Sequence, residues 1–220
     1  MNQLQIMKLS IKSILLFILL FTLSLSLYSQ KEVQPEVEKP SDDFFFIQIG
    51  LSHPFLYGDN FATNAYRGKT GVEYNMGFSV LSKIIFEGGL SWNNLSVKDD
   101  RFTGNLQRSR ISRANLRAGY MFQITQMMSI TPKIGYSHVK YKNTKNSNFK
   151  DTGNSLSLST TIQAHFDKTI SIYLNLINYT DFLDITTNDL IQDQFDQSNS
   201  FIVSIGVQLN ILNNSATPQF

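Results

Sequence analysis

The segment SFIVSIGVQLNIL, residues 200–212, alternates between bulky apolar side chains and side chains that are mostly small or polar. The apolar set consists of Phe201, Val203, Ile205, Val207, Leu209 and Ile211. The opposite set consists of Ile202, Ser204, Gly206, Gln208 and Asn210. A period of two is typical of a β-strand, because successive side chains point to opposite faces. The segment is therefore predicted to be a strand whose two faces lie in different surroundings.

The same alternation recurs in seven segments upstream, and no convincing amphipathic helix interrupts them. Their apolar sets begin at Phe45, Val72, Ile84, Ala114, Ile130, Leu156 and Ile170. Short turns are predicted near Ser82, Thr125 and Lys168, and long loops at about 53–70, 97–110, 140–154 and 178–199. Antiparallel strands with short turns at one rim and long loops at the other are the pattern of an outer-membrane barrel.

Alternation alone leaves open which face points inward. A soluble barrel of the lipocalin kind would hold the apolar face inside, whereas a membrane barrel turns it outward. Gly and Ser dominate the polar face, and the narrow interior of an eight-stranded barrel favours small side chains. Bulky aromatics lie near both ends of the strands, at Phe45, Phe78, Phe86, Phe122, Phe166, Tyr74, Trp92 and Tyr136. The sequence therefore favours an all-β fold, an eight-stranded antiparallel up-and-down transmembrane β-barrel over residues 43–212.

The two ends of the chain differ from the predicted barrel. Lys8 and Lys12 precede an apolar run over 14–27, which predicts a cleaved signal peptide over 1–29. An uncleaved anchor is the alternative, but the run is shorter than the roughly 20 residues that a spanning helix needs. Residues 30–42 are predicted to be a flexible periplasmic tail, and 213–220 a C-terminal extension.

Charge and cysteine content exclude several classes of protein. Loss of residues 1–29 would remove Lys8 and Lys12 and no acid, leaving basic and acidic residues in balance at 17 each. A neutral balance gives no support to nucleic-acid binding. The chain contains no cysteine, so it has neither disulfides nor a thiolate metal site. No metal and no cofactor are expected.

The predicted barrel resembles the small eight-stranded outer-membrane barrels of the OmpA and OmpX type. The most specific match is the assembly signal of the last strand, which is fitted by Ser204, Gly206, Leu209 and Ile211. The resemblance implies that this strand is presented to the barrel assembly machinery. A monomer in the outer membrane is expected, with periplasmic termini and with lipid and lipopolysaccharide as partners. One departure is that Phe220 follows a polar extension, so its part in the signal is doubtful.

Five charged residues are predicted to point into the lumen: Glu73, Glu87, Arg113, Arg117 and Lys133. Three of them, Glu73, Arg117 and Lys133, are expected to share one layer. Charges in so dry a space must pair, because an isolated buried charge is very unfavourable. The pairs are interpreted as a plug that fixes strand register, with an ion-passing gate as the alternative. Neither makes a wide porin, because eight strands leave no such channel.

The outer loops divide by charge. Basic residues are assigned to loops two and three, at Lys98, Arg101, Arg108, Arg110, Lys140, Lys142, Lys145 and Lys150. Acidic residues are assigned to loop four, at Asp181, Asp184, Asp189, Asp193 and Asp196. The basic loops could bind phosphates of lipopolysaccharide, and the acidic loop could pair with them or hold divalent cations. Alternatively these charges only keep the loops soluble, and the acidic spacing does not fit a calcium loop.

Catalysis at the outer rim would need a nucleophile, a base and an orienting acid in contact. His53 is placed at the start of loop one, His165 inside the lumen, and His138 on the lipid side. Lys140 stands where the His-x-Ser arrangement of lipid A deacylases would place serine. The chain is therefore predicted not to be an enzyme. A structural, envelope-integrity or adhesive role is expected, with a lipid A-modifying hydrolase or an accessory component of a secretion system as alternatives.

Overall fold

The computed structural model describes residues 43–98, 108–125, 127–143, 150–166, 169–184 and 197–212. The predicted signal peptide, the tail over 30–42 and the extension over 213–220 lie outside the described residues, as do parts of three predicted loops.

Nine strands and one short helix make up the described chain. Their bounds are β1 Phe44–Tyr57, α1 Phe61–Ala65, β2 Tyr66–Val80, β3 Ile84–Val97, β4 Arg108–Tyr120, β5 Phe122–Thr125, β6 Met128–Asn143, β7 Lys150–His165, β8 Ile170–Leu183 and β9 Gln197–Leu212. Both β4 and β5 pair with β6. They form one barrel strand, interrupted at Met121, so the barrel has eight strands.

The sheet closes on itself. Apart from β4 and β5, which both pair with β6, each strand pairs antiparallel with its neighbour in sequence, and β1 also pairs with β9. Closure leaves no open edge whose N–H and C=O groups would lack partners. The predicted eight-stranded antiparallel up-and-down barrel is confirmed. Among the described residues, no helix combines the length and the apolar character needed to cross a membrane.

The apolar face lies on the outside of the barrel. Leu116, Ile134 and Leu158 are 70%, 68% and 67% exposed, whereas Asn75 and Ser204 are at most 1% exposed. A soluble barrel would bury the large apolar side chains and expose the polar ones. The lipocalin alternative is therefore wrong, and the inward position of the small polar face is confirmed.

The alternation reverses its polarity toward the outer ends of the strands. On β8, Ile177 and Tyr179 are buried inside while Asn178 and Thr180 point outward. On β4, Ile111 points inward and Arg110 outward. β4 has 13 residues and β6 has 16, against the roughly 9–11 that a membrane strand needs. The strands therefore continue beyond the apolar band, with polar side chains outside.

This extension corrects the predicted loop boundaries. Arg110, Lys140, Lys142 and Asp181, which the sequence assigned to loops, lie on strands. The connection between β1 and β2 also contains α1, which the alternation did not predict.

A tight turn joins β2 to β3 at the opposite rim. Leu81 and Ser82 have φ values of 52° and 56°, and the Lys83 N–H donates to the Val80 carbonyl at 3.2 Å. Two consecutive residues with positive φ give the backbone twist that a two-residue hairpin requires. The Ser82 N–H also donates to Asp43 Oδ1 at 3.0 Å, which ties the start of β1 to the turn.

Candidate functional site in the barrel lumen

The lower lumen, near the short turns, is filled by hydrogen-bonded glutamines. Gln48 and Gln163 each donate from Nε2 to Gln208 Oε1 at 2.6 Å. The cavity beside them has a volume of about 10 Å³. A water molecule needs at least about that space, so this cavity holds about one water molecule at most.

Three charged residues fill the middle of the lumen. Glu87 contacts Arg117 through Oε1 and Lys133 through Oε2, each at 2.5 Å. Glu87 lies opposite Arg117 on the β3–β4 pair, and Lys133 reaches it from β6. All three residues are at most 4% exposed. We call this group the lower ion cluster.

Glu73 lies outside this cluster although the sequence grouped it with Arg117 and Lys133. Its Oε1 accepts hydrogen bonds from the Tyr173 hydroxyl at 2.9 Å and from Asn175 Nδ2 at 3.0 Å. The carboxylate that contacts Arg117 and Lys133 is therefore Glu87, and the predicted common layer of Glu73, Arg117 and Lys133 stays a prediction.

A second ion pair lies nearer the outer rim. Arg113 Nη2 contacts Asp181 Oδ2 at 2.7 Å, and both side chains are fully buried. Asp181 also accepts from the Tyr141 hydroxyl at 2.9 Å and the Ser155 hydroxyl at 2.6 Å. The Arg113 guanidinium lies 4.5 Å from the centre of the Tyr179 ring. This arrangement is the upper ion pair.

Asp181 is the lumen residue that the sequence prediction missed. It was assigned to an acidic outer loop because the apolar alternation of the seventh predicted segment ends at Leu176. The two-residue period nevertheless continues, since Tyr173, Ile177 and Asp181 all point inward. Extending that parity by five residues would have placed Asp181 inside the barrel.

An apolar cap closes the lumen above the upper ion pair. Phe61, Ala62 and Ala65 of α1 are buried in one cluster with inward side chains of β3, β4, β6 and β8. These inward residues are Leu95, Ile111, Val139, Tyr141 and Leu183. Asn60 begins the helix, and its Oδ1 accepts from the Thr63 N–H at 3.0 Å. We call α1 with these five side chains the outer cap.

The residues of the predicted assembly signal lie on both faces of β9. Ser204 is buried in the lumen, whereas Leu209 and Ile211 are exposed on the outer wall. Gly206 pairs with Gly50 of β1, and the Tyr173 ring covers the pair from inside. Their recognition by the assembly machinery stays a prediction.

The three histidines lie apart. His165 contacts the hydroxyls of Ser129 and Ser171 at 2.9 and 2.8 Å, and His53 contacts Thr70. His138 is exposed on the outer wall. Within the described ranges, no group of three His, Cys, Asp or Glu could hold a metal ion. The charged lumen is thus the most organised polar site on the described chain.

Comparisons with known proteins identify the architecture. No protein-family model matches the chain, and no curated protein matches its sequence. The outer-membrane protein AlkL, solved in lipid bilayers, is 10% identical and has a TM-score of 0.53, with 85% of this chain and 99% of AlkL covered. Neisserial surface protein A is 11% identical, covering 76% and 97%, with a TM-score of 0.48. Ail of Yersinia pestis is 13% identical, covering 79% and 100%, with a TM-score of 0.47.

The chain has the fold of the small eight-stranded outer-membrane barrels. The resemblance to barrels of the OmpA and OmpX type is confirmed at the level of architecture. At these identities the comparisons carry no ligand or activity to this protein.

Proposed function

We propose that the protein is an integral outer-membrane barrel that is closed to ions and anchors its outer loops at the cell surface, with a role in envelope integrity or adhesion. The observation that carries this proposal is the filled lumen. The outer cap, the upper ion pair, the lower ion cluster and the glutamines block it at four successive levels.

The apolar outer wall supports the membrane location. Large aliphatic and aromatic side chains are exposed on all eight barrel strands. Water would favour burial of this surface, and a bilayer is the solvent that matches it. The tight turns would then face the periplasm and the longer connections the outside, as the sequence predicts.

The ion contacts favour a plug over a gate. Glu87 has both of its cations bound, and Asp181 has three donors. Separating either set would leave a charge buried without a partner. Breaking a buried ion pair in this way destabilises a protein by about 3–5 kcal/mol.

The alternative functions gain no specific support. A lipid A hydrolase would need a base near the membrane surface, and His138 is at a suitable place. Its neighbours across the sheet are Ala114 and Asn154, neither of which is a nucleophile or an acid. No described surface favours a secretion system over another partner.

Conductance in a planar bilayer tests the proposal. The wild-type protein is expected to give no stable channel, because no continuous water path crosses the four levels. A variant with Phe61→Ala, Arg113→Ala and Asp181→Ala is also expected to stay closed, because the lower ion cluster and the glutamines still block the lumen. Heat-modifiable migration on gels shows that both proteins are folded. Ion-selective wild-type conductance would overturn the plug and support the gate.

A further inference from the structure

Among the residues that the structure describes, the basic side chains near the outer ends of the strands lie on one side of the outer wall. Arg67 and Lys69 of β2, Arg110 of β4, and Lys140 and Lys142 of β6 point outward near the outer ends of their strands. We call these five residues the basic belt. Among the residues the structure describes, no carboxylate forms an ion pair with any of them. The outer ends of β8, β9 and β1 instead present the uncharged residues Thr180, Asn199 and Tyr57.

Strand pairing aligns the belt in rows. Lys69 pairs with Asn94, Asn94 with Arg110, and Arg110 with Lys142. The Arg110 Nε–H donates to Asn94 Oδ1 at 3.3 Å, which orients the guanidinium along the row. Lys140 lies one row below, opposite Ser112.

Two apolar depressions lie on the same wall, one next to the belt and the other nearer the short turns. One has a volume of about 440 Å³ and is lined by Tyr74, Leu90 and Ala114. The other has a volume of about 600 Å³ and is lined by Phe86 and Ala118. Gly88 and Leu116 line both. The depressions form because Gly88, Ala114 and Ala118 are small and their neighbours are bulky.

The belt lies at the height of a lipid headgroup. Ten residues separate Arg110 from Tyr120 at the other end of β4. A strand tilted as in membrane barrels rises about 25 Å over that distance, which is the height of the apolar band. Arg110, Lys140 and Lys142 therefore lie where the apolar band ends, above the depressions.

We infer that this wall binds a phosphorylated lipid of the outer leaflet, with its phosphate on Arg110, Lys140 and Lys142 and an acyl chain in the depressions around Gly88 and Ala114. The inference rests on the outer-membrane placement in the proposed function. Guanidinium and ammonium groups are the donors that phosphate prefers. A zwitterionic lipid would also fill the depressions, but its headgroup carries no net negative charge to balance the positive charge of the belt.

The belt argues against a second copy of the chain as the occupant. In a symmetric dimer formed through this wall, the same surface of each subunit meets its equivalent. Two basic belts would then lie together, and like charges would repel each other in the low-dielectric headgroup region.

Trp92 provides a native reporter for the test. It is the only tryptophan of the chain, and it points outward between Val72 and Ser112, one row below Arg110. The protein is reconstituted in phosphatidylcholine vesicles that contain either brominated phosphatidate or brominated phosphatidylcholine. Quenching of Trp92 then measures which lipid lies beside it. We expect phosphatidate to reach half-quenching at about tenfold lower mole fraction.

Variants separate the two halves of the site. In the triple variant R110Q/K140Q/K142Q, both lipids are expected to quench Trp92 equally. The variant K83Q, at the periplasmic turn, is expected to keep the preference for phosphatidate. Ala114→Phe is expected to weaken quenching by phosphatidate several-fold; Val207→Phe, on the opposite side of the barrel, is not. Heat-modifiable migration on gels shows that each variant is folded.

Three results would overturn the inference. Equal quenching of the wild-type protein by the two lipids would show that the belt does not bind phosphate, whatever the variants show. A preference that survives the triple variant would place the phosphate elsewhere. Unchanged quenching of Ala114→Phe would remove the acyl-chain groove. A protein that binds phosphatidate and also conducts ions would refute the proposed plug while leaving the lipid site intact.

Discussion

At the scale of single residues, Asp181 shows how a narrow barrel accommodates a buried charge. Its two carboxylate oxygens accept from Arg113, Tyr141 and Ser155, which lie on three other strands. Each contact alone is modest, but together they replace the water that the carboxylate loses. The residue therefore links β4, β6, β7 and β8 at one level of the lumen.

Asp181→Leu is predicted to destabilise the barrel by about 3–5 kcal/mol, because it leaves Arg113 buried without its partner. Asp184→Asn, which changes an exposed carboxylate just beyond the end of the same strand, is expected to change stability by less than about 0.5 kcal/mol. Urea unfolding in vesicles, followed by Trp92 fluorescence, measures both. Adding Arg113→Met to Asp181→Leu should recover most of the loss, since no unpaired charge remains. An Asp181→Leu effect no larger than that of Asp184→Asn would contradict the structural role of the pair.

The sequence could predict that the charges point inward but not how they pair. Parity along each strand assigns a face, and Glu73, Glu87, Arg113, Arg117 and Lys133 all lie inside the barrel. Pairing depends on the relative shift of neighbouring strands, which no single strand encodes. Glu87 is therefore paired with Lys133 across two strand boundaries, while Glu73 bonds to Tyr173 of β8.

At the scale of elements, β9 closes the barrel through a contact that only glycine allows. A Cβ atom on Gly206 would lie 2.6 Å from the Gly50 Cα and 2.8 Å from Tyr173 Cε1. Both distances are too short for a side chain, so the Tyr173 ring packs directly on the backbone of the β1–β9 pair. The packing suffices to explain Gly206 without a signal function.

Gly206→Ala is predicted to reduce stability by about 1–3 kcal/mol through overpacking. Gly88→Ala is the matched control, because its Cβ would make only ordinary contacts on the outer wall, at 3.4 Å with Leu116 Cδ2 and at 3.9 Å with the Asn115 carbonyl oxygen. The folded fraction after refolding in detergent, read from heat-modifiable migration, measures the effect without any assembly machinery. Normal refolding of Gly206→Ala together with failed assembly in cells would contradict the packing account and favour the signal.

The ends of the strands are harder to predict from the sequence than the directions in which their side chains point, for a physical reason. The prediction followed bulky apolar residues on one parity, and that rule holds only where lipid surrounds the barrel. Toward the outer ends of the strands the lumen holds buried apolar clusters, and Ile177 and Tyr179 form one of them with Ile202, so these bulky residues lie on the opposite parity. The rule therefore ended β8 too early and assigned Arg110 and Lys142 to loops.

At the scale of the whole molecule, the barrel has an outer wall with two zones and a lumen that the described side chains fill at four levels. The wall is apolar from the short turns to about the level of Trp92, and polar above it. Its polar zone is basic on β2, β4 and β6 and neutral on β8, β9 and β1. The membrane location, the plug and the lipid site all require that the apolar zone is in contact with lipid.

Site-directed spin labelling tests that dependence most directly. The chain has no cysteine, so single cysteines at Leu116, Ile134 and Leu158 can each carry a label, with Lys142 as the aqueous comparison. In bilayers, the first three labels are predicted to collide with oxygen more often than with a water-soluble nickel complex, and the label at Lys142 to show the reverse. A label at Leu116 as accessible to the nickel complex as the one at Lys142 would contradict the account.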